Sequence, residues 1–240
     1  MERFDTLDQF HAWYEHWHRY HWIAPLIKNK NIADIACGEG YGSALISTMA
    51  SHVTAVDIDK NVISEAKEKY SELKNISFQS KSALKTDIKE KSLDTVVSFE
   101  TLEHLEEHEA LLHEFKRILK SNGTLIISTP DKLVYSGDGD HNEYHVKELT
   151  EHEFKTLVQQ YFKHVLFFGQ DMQTVSCITP QATINNSAAE LNYCQKNNES
   201  ELTNKNQKPT YLIAIASDQE AELTPFKTVS YTHLTLPTKA

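Results

Sequence analysis

The segment Ile32-Ala-Asp-Ile-Ala-Cys-Gly-Glu-Gly-Tyr-Gly42 constrains this chain more than any other stretch. Ile32 to Cys37 is a short apolar run that enters a glycine turn, the pattern of a buried strand feeding a helix. Glycine lacks a Cβ and tolerates positive φ, so the backbone at such a turn can approach a ligand closely. The spacing Gly38-x-Gly40-x-Gly42 departs from the GxGxxG of dinucleotide sites. Asp34 precedes the loop, and Asp57 ends the next β-branched run. That places Asp57 about twenty residues beyond Gly38, where an acid accepts hydrogen bonds from ribose hydroxyls.

Strand and helix patterns alternate along the chain, which predicts an α/β fold with a Rossmann-like, seven-stranded, mostly parallel sheet flanked by helices. The predicted strands are Ile32 to Cys37, His52 to Ile58, Asn75 to Gln79, Leu93 to Phe99, Thr124 to Ser128, Val165 to Gly169 and Tyr211 to Ala216. Helical spacing covers Asn61 to Leu73 and Leu105 to Leu119, the latter stopping at Asn122-Gly123 as a C-cap. Thr150-Glu-His-Glu153 is a capping box for a helix holding Phe154, Leu157 and Tyr161. An N-terminal helix, Leu7 to Trp22, carries Phe10, Trp13, Trp17 and Tyr20 on one stripe. Residues 1–30 therefore form a cap that packs on the edge of the domain or covers a ligand. The domain proper spans 31–218, with a polar, Asn-rich excursion at 173–208 expected to be flexible.

Composition narrows the function classes. A chain of 240 residues, 40% of them hydrophobic, suffices for one α/β core. The net charge of −10 disfavours a nucleic-acid partner needing a broad basic surface. No apolar run approaches the ~18 residues of a membrane span, and Met1-Glu-Arg-Phe-Asp is not a signal peptide. Cys37, Cys177 and Cys194 lack CxxC spacing, which suits a reducing cytoplasm. The segment Val229-Ser-Tyr-Thr-His-Leu-Thr-Leu-Pro-Thr238 resembles a translated transposase sequencing adapter, so 229–240 are read as an artefact. Residues 219–228 are then a linker, with a further segment expected beyond Thr228.

The acid-x-Gly-x-Gly-x-Gly pattern, with Asp34 as the acid and Ala36 at the first glycine position, resembles class I S-adenosylmethionine-dependent methyltransferases of the type 11/23-like group. The likeness extends to Asp94-Thr-Val-Val-Ser-Phe-Glu-Thr-Leu-Glu-His-Leu105 and to Lys120-Ser-Asn-Gly-Thr-Leu-Ile-Ile-Ser-Thr-Pro130, in the family's order. Asp57 alone suits NAD equally well; Asp34 and the glycine spacing favour S-adenosyl-L-methionine as cofactor over an NAD-dependent reductase, whose Tyr/Lys pair is not seen. The resemblance implies that Gly38 and Gly40 face the methionine part, Asp34 orients its ammonium, Asp57 holds the ribose and Ile58 covers adenine. Ser82 and Ala83 would sit at the adenine edge, where many relatives have an acid, and Phe99 and Glu100 would border the sulfonium. Arg19 would pair with the cofactor carboxylate, or else be a surface charge.

Two further features bear on the acceptor. Glu100-x-x-Glu103-His104 would place two carboxylates and an imidazole on one face of a helix starting near Glu100. With His145, the set resembles the divalent-metal site of small-RNA 3′-terminal ribose methyltransferases, and related ubiquinone-pathway O-methyltransferases. Mixed carboxylate and imidazole ligands suit Mn²⁺, Co²⁺ or Zn²⁺ better than Mg²⁺. Many relatives carry Leu-Glu-His without a metal, and His104 with Glu103 would then serve as the acceptor-site base. His11, His16, His18 and His21 read as a solvated face. The loop from Ser128 through Tyr135 and Asp140 to His145 resembles methyltransferases of bacterial surface-polysaccharide clusters, implying O-methylation of a small-molecule or glycan acceptor.

Overall fold

The computed structural model describes residues 6–136, 142–171, 175–178, 190–193 and 208–224. The adapter-like segment lies outside these residues, as does most of 173–208. Among the described residues no helix is long and apolar enough to cross a membrane.

Helix α1 (Thr6–Ile23) leads through a short 3-10 turn into β1 (Asn31–Ile35). There follow α2 (Tyr41–Ser47), β2 (His52–Asp57), α3 (Lys60–Lys69), β3 (Ile76–Ser80) and β4 (Leu93–Ser98). Next come α4 (His108–Ile118), β5 (Leu119–Pro130), α5 (Lys132–Tyr135), α6 (Glu151–Tyr161) and β6 (His164–Gln170). A two-stranded pair, β7 (Val175–Ile178) and β8 (Glu190–Tyr193), precedes β9 (Tyr211–Ser217). The seven-stranded sheet has the order β3-β2-β1-β4-β5-β9-β6, parallel except for β9, which runs antiparallel to both β5 and β6.

All seven strands expected from the sequence are present, and neighbouring residues of β4 show why the periodicity reads as buried on both faces. Val96 packs with Leu111, Phe115, Leu125 and Phe154 under α4 and α6. Val97 packs on the opposite face with Ile23, Ile27, Ile46 and Ile126. After β3 the chain crosses to the other side of β1 to form β4, so a crevice opens between the carboxyl ends of β1 and β4, where α/β sheets bind ligands.

Two helix limits differ from expectation. The capping box at Thr150 is present, with Thr150 Oγ1 accepting from Glu153 N–H and the Glu153 carboxylate accepting from Thr150 N–H. Helix α4, however, starts at His108 rather than Leu105, and Asn122-Gly123 lies inside β5 rather than capping the helix. Leu119 already pairs with Leu93, and a register shift before Thr95↔Thr124 absorbs the intervening residues as a bulge. Residues 220–223 form a 3-10 turn whose Leu223 is buried and whose Glu222 pairs with Lys30, so part of the expected linker packs on the domain.

Candidate active site

The loop after β1 is shaped by three residues of positive φ: Ala36 (61°), Gly38 (51°) and Gly40 (76°). A Cβ on Gly38 would meet nothing within 4 Å, so this glycine opens onto free space. Gly40 is turned inward, because a Cβ there would strike the Phe78 ring at 2.5 Å. Asp57, at the end of β2, ties the loop down: its Oδ2 accepts from Gly38 N–H at 2.9 Å and its Oδ1 from Asp59 N–H at 2.9 Å. Ile58 beside it is 74% exposed, an apolar surface with no protein covering it. Ser82 Oγ accepts from Leu84 N–H, and Ala83 packs against the core, so both sit in a tight turn beyond β3.

Asp34 is fully buried, and its carboxylate accepts from Ser43 Oγ at 2.5 Å and from Tyr20 Oη at 3.0 Å. Burial raises its pKa to about 6, against the lowering effect of those two donors. Tyr20 comes from α1 and fills the space that Gly42 leaves by having no side chain. The N-terminal helix is thereby fastened to the glycine loop.

Arg19 lies beside Tyr20 and is 1% exposed, so it is not a surface charge. Its Nε donates to Gln170 Oε1 at 2.5 Å, its Nη1 pairs with Glu100 Oε1 at 2.8 Å, and its guanidinium lies 4.4 Å from the Tyr211 ring centroid. Its Nη2 is buried without a hydrogen-bond partner. His16, one turn earlier, lines the cleft rather than a solvated face, and burial and then Arg19 push its pKa down to about 3. His18 and His21 are partly buried, and burial lowers both pKa values. The side chains of Phe10, His11 and Trp13 lie outside the described residues.

Glu100 is not the start of a helix. Its φ is +50°, and only a 3-10 turn, Leu102–His104, follows. A left-handed non-glycine residue costs ~1–3 kcal/mol unless its surroundings hold it. Here Ser128 holds it, its Oγ accepting from Glu100 N–H and donating to Glu100 Oε1 at 2.5 Å. Glu100 is therefore drawn toward Arg19. Phe99 is buried and its ring meets Tyr20 edge-on at 5.1 Å.

A cleft of about 290 Å³ joins these parts, its wall running from Ala36, Gly38 and Phe99 past Glu100 to Glu103, His104 and His145. Tyr135, expected in the acceptor loop, and Tyr211, which had no role assigned from the sequence and is placed by tertiary packing, also line it. A wider, open groove of about 810 Å³ between α4 and α6 contains none of the loop residues. Glu103 is 1% exposed, and burial, then Glu100, raises its pKa well above the usual carboxylate range.

Glu103, His104 and His145 bring donor atoms within 4.8 Å of one another, without Glu100. The three are close enough to hold one divalent ion, so the expected ligand set is brought together in part. His145 Nδ1 lies 2.6 Å from Glu148 Oε1, and its Nε2 lies 3.1 Å from Asn142 Nδ2, so both ring nitrogens are engaged. A carboxylate on the far nitrogen is the usual partner of a metal-bound imidazole, so Glu148 does not oppose that role, whereas His145 Nε2 would have to exchange Asn142 for the ion. Catalytic metal sites typically use about three protein ligands, deprotonated where they are acids.

Comparison with known proteins supports the same reading of the fold. Residues 33–127 match the family model described as a methyltransferase domain. A Mycobacterium tuberculosis protein named "Probable S-adenosylmethionine-dependent methyltransferase" is 30% identical over 141 residues, 58% of this chain and 50% of that one. A "Ubiquinone biosynthesis O-methyltransferase" from Pelagibacter ubique is 28% identical over 46% of each chain. The chain thus spans about half the length of the curated relatives it matches. Among solved structures, a SAM dependent methyltransferase from Aquifex aeolicus superposes with TM-score 0.53 at 16% identity, covering 82% of this chain and 86% of the other. The fold is that of class I methyltransferases.

Proposed function

We propose that this protein is an S-adenosylmethionine-dependent methyltransferase that methylates a hydroxyl of an uncharged polyol, a sugar or glycan terminus being the best fit. The carrying observation is that one cleft joins the open Gly38 loop to the Glu103–His104 pair. The free space beside Gly38, the uncovered Ile58 and the unpartnered Nη2 of buried Arg19 all fit a bound cofactor.

When bound, S-adenosylmethionine supplies a methyl carbon on a sulfonium, which an acceptor oxygen displaces in line, leaving the electron pair on sulfur. The chain's own contribution is alignment and proton handling. Asp57 and Ile58 take the ribose and adenine, Ala36 and Gly38 form the floor, and Phe99 with Glu100 borders the reacting centre. His104 accepts the acceptor's hydroxyl proton at Nε2. Its Nδ1 lies 2.9 Å from the Tyr144 carbonyl and so carries a proton, which in the neutral ring leaves Nε2 with the lone pair. Glu103, favouring its protonated form, is suited to donate a hydrogen bond to a neighbouring hydroxyl.

The acceptor class rests on charge. No lysine or arginine lines the cleft among the described residues, and the nearby Arg19 is paired with Glu100. An acceptor's phosphate or carboxylate would find no lysine or arginine on the cleft wall, whereas Tyr135, Tyr211 and two glutamates offer partners for hydroxyls. The Pelagibacter relative's name supports an oxygen acceptor. RNA-terminal ribose, with its flanking phosphate, fits less well.

Calorimetric titration with S-adenosylmethionine and with NAD tests the cofactor. Methyl-tritiated cofactor, offered methyl glycosides and their phosphorylated forms, tests the acceptor class. Label should enter the neutral compounds, in the presence of chelator as in its absence. Binding of NAD in place of S-adenosylmethionine overturns the reading.

A further inference from the structure

The two histidines of the cleft are linked by a continuous set of hydrogen bonds, and that set decides which nitrogen of each bears a proton. The Tyr144 carbonyl can only accept, so the facing His104 Nδ1 is the donor. Glu148 Oε1 lies 2.6 Å from His145 Nδ1, both side chains being at most 7% exposed, and this charge-assisted contact puts a proton on that nitrogen. The other end of His145 is fixed independently. Asn142 Oδ1 accepts from Tyr144 N–H at 3.0 Å, which orients the amide so that Nδ2 faces His145 Nε2. An amide Nδ2 only donates, so Nε2 must be the acceptor.

Tyr144 is thus held on both sides of its Cα: the Asn142 side chain takes its N–H, and its carbonyl, in the next peptide unit, accepts from His104. Ser136 Oγ donates to Glu148 Oε2 at 2.5 Å, and Val146 and Lys147 N–H both donate to the Glu103 carbonyl, at 2.7 and 3.0 Å. The segment is therefore anchored to α5 on one side and to the turn bearing Glu103 and His104 on the other.

We propose that Glu148 and Asn142 are positioning residues for His104. They hold His145 as the Nδ1–H tautomer, and His145 keeps the Asn142 amide turned so that the Tyr144 carbonyl stays on His104 Nδ1. The consequence is a His104 Nε2 lone pair presented to the acceptor. The inference rests on the reading of His104 as the proton acceptor in methyl transfer. It adds a reason for the Glu148 carboxylate to be buried beside His145.

Long-range ¹H–¹⁵N correlation of the imidazoles in the full-length protein, assigned by loss of signals in His104→Ala and His145→Ala, reads the tautomers directly. In the unsubstituted protein both histidines should carry the proton on Nδ1 and not on Nε2. Asn142→Asp keeps an acceptor for Tyr144 N–H but sets an acceptor against His145 Nε2; a proton should move onto that nitrogen while His104 is unchanged. Asn142→Leu and Glu148→Gln should raise the Nε2–H to Nδ1–H ratio of His104 up to about tenfold, the scale of one lost neutral hydrogen bond. Affinity for S-adenosylmethionine should remain within about twofold in the Asn142 and Glu148 variants, since neither side chain lines the cleft. A proton on Nε2 of either histidine in the unsubstituted protein overturns the inference. So does an unchanged His104 spectrum in Asn142→Leu. Failure of S-adenosylmethionine to bind the unsubstituted protein would instead strike the proposed function, leaving the tautomer result to stand or fall separately.

Discussion

Glu100 shows how far a single residue can depart from the local pattern. Its sequence neighbourhood reads as the first turn of a helix, yet its φ is +50°. The forces that put it there come from Arg19 and Ser128, remote in sequence, and no local periodicity reports them. Asp57 is the opposite case. Its place at the end of a β-branched strand announces it, and the structure adds that its carboxylate also braces the Gly38 amide. Asp57→Ala removes that brace together with the proposed ribose contact. The expected result is a rise in the dissociation constant for S-adenosylmethionine on the order of ten- to a hundredfold, as for one or two hydrogen bonds to a charged group. Calorimetry checks it, and unchanged affinity would remove Asp57 from the site. Gly38 and Phe99, which line the cleft, lie in motifs that the sequence shows, whereas Arg19 was left open between the cofactor and the surface until its burial excluded the latter. Tyr211, Gln170 and Glu148 were not legible as site residues, since each reaches the site through packing of distant strands or loops.

At the scale of elements, strands were more legible than helix ends. Two-sided burial writes continuous apolar runs into β1, β4, β5 and β9, and each was found where expected. Helix ends depend on cap chemistry that competes with the sheet. Asn122-Gly123 has the composition of a cap, but pairing of Leu119 with Leu93 draws the chain into β5 first. Where nothing competes, the cap signal holds: Thr150 and Glu153 form their reciprocal bonds, and α6 then buries Phe154 and Val158. Thr150→Ala should cost about 1 kcal/mol, lowering the melting temperature by about 2–4 °C in a domain of this size. Differential scanning calorimetry reads the shift, and affinity for S-adenosylmethionine should stay level because α6 lies outside the cleft. A loss of affinity in this variant would mean that α6 communicates with the loop.

At the scale of the whole molecule, α1 and the sheet meet at a buried carboxylate, and that makes stability depend on pH. Asp34 sits between Tyr20 of α1 and Ser43 of α2, with its pKa raised to about 6 from 3.8. Between those values the folded protein binds a proton that the unfolded chain releases. Stability from this group is therefore fully present below about 4 and is lost as pH rises through about 6. A shift of about two units corresponds to roughly 3 kcal/mol. Glu114 works in the other direction: hydrogen bonds from Arg117 and Thr86 outweigh burial and bring its pKa down to about 2, so its contribution is lost only in stronger acid. Asp34→Asn separates the two, because an amide can accept from one hydroxyl and donate to the other without ever ionising. Urea unfolding of both proteins from about pH 4 to 8 should show the variant gaining on the unsubstituted protein as pH rises through 6, up to about 3 kcal/mol. The gap should close again toward pH 4, while the acid limb set by Glu114 stays common to both. A gap that does not vary with pH would mean that Asp34 is ionised in the folded protein throughout, and that Tyr20 and Ser43 stabilise its charge more than burial opposes it.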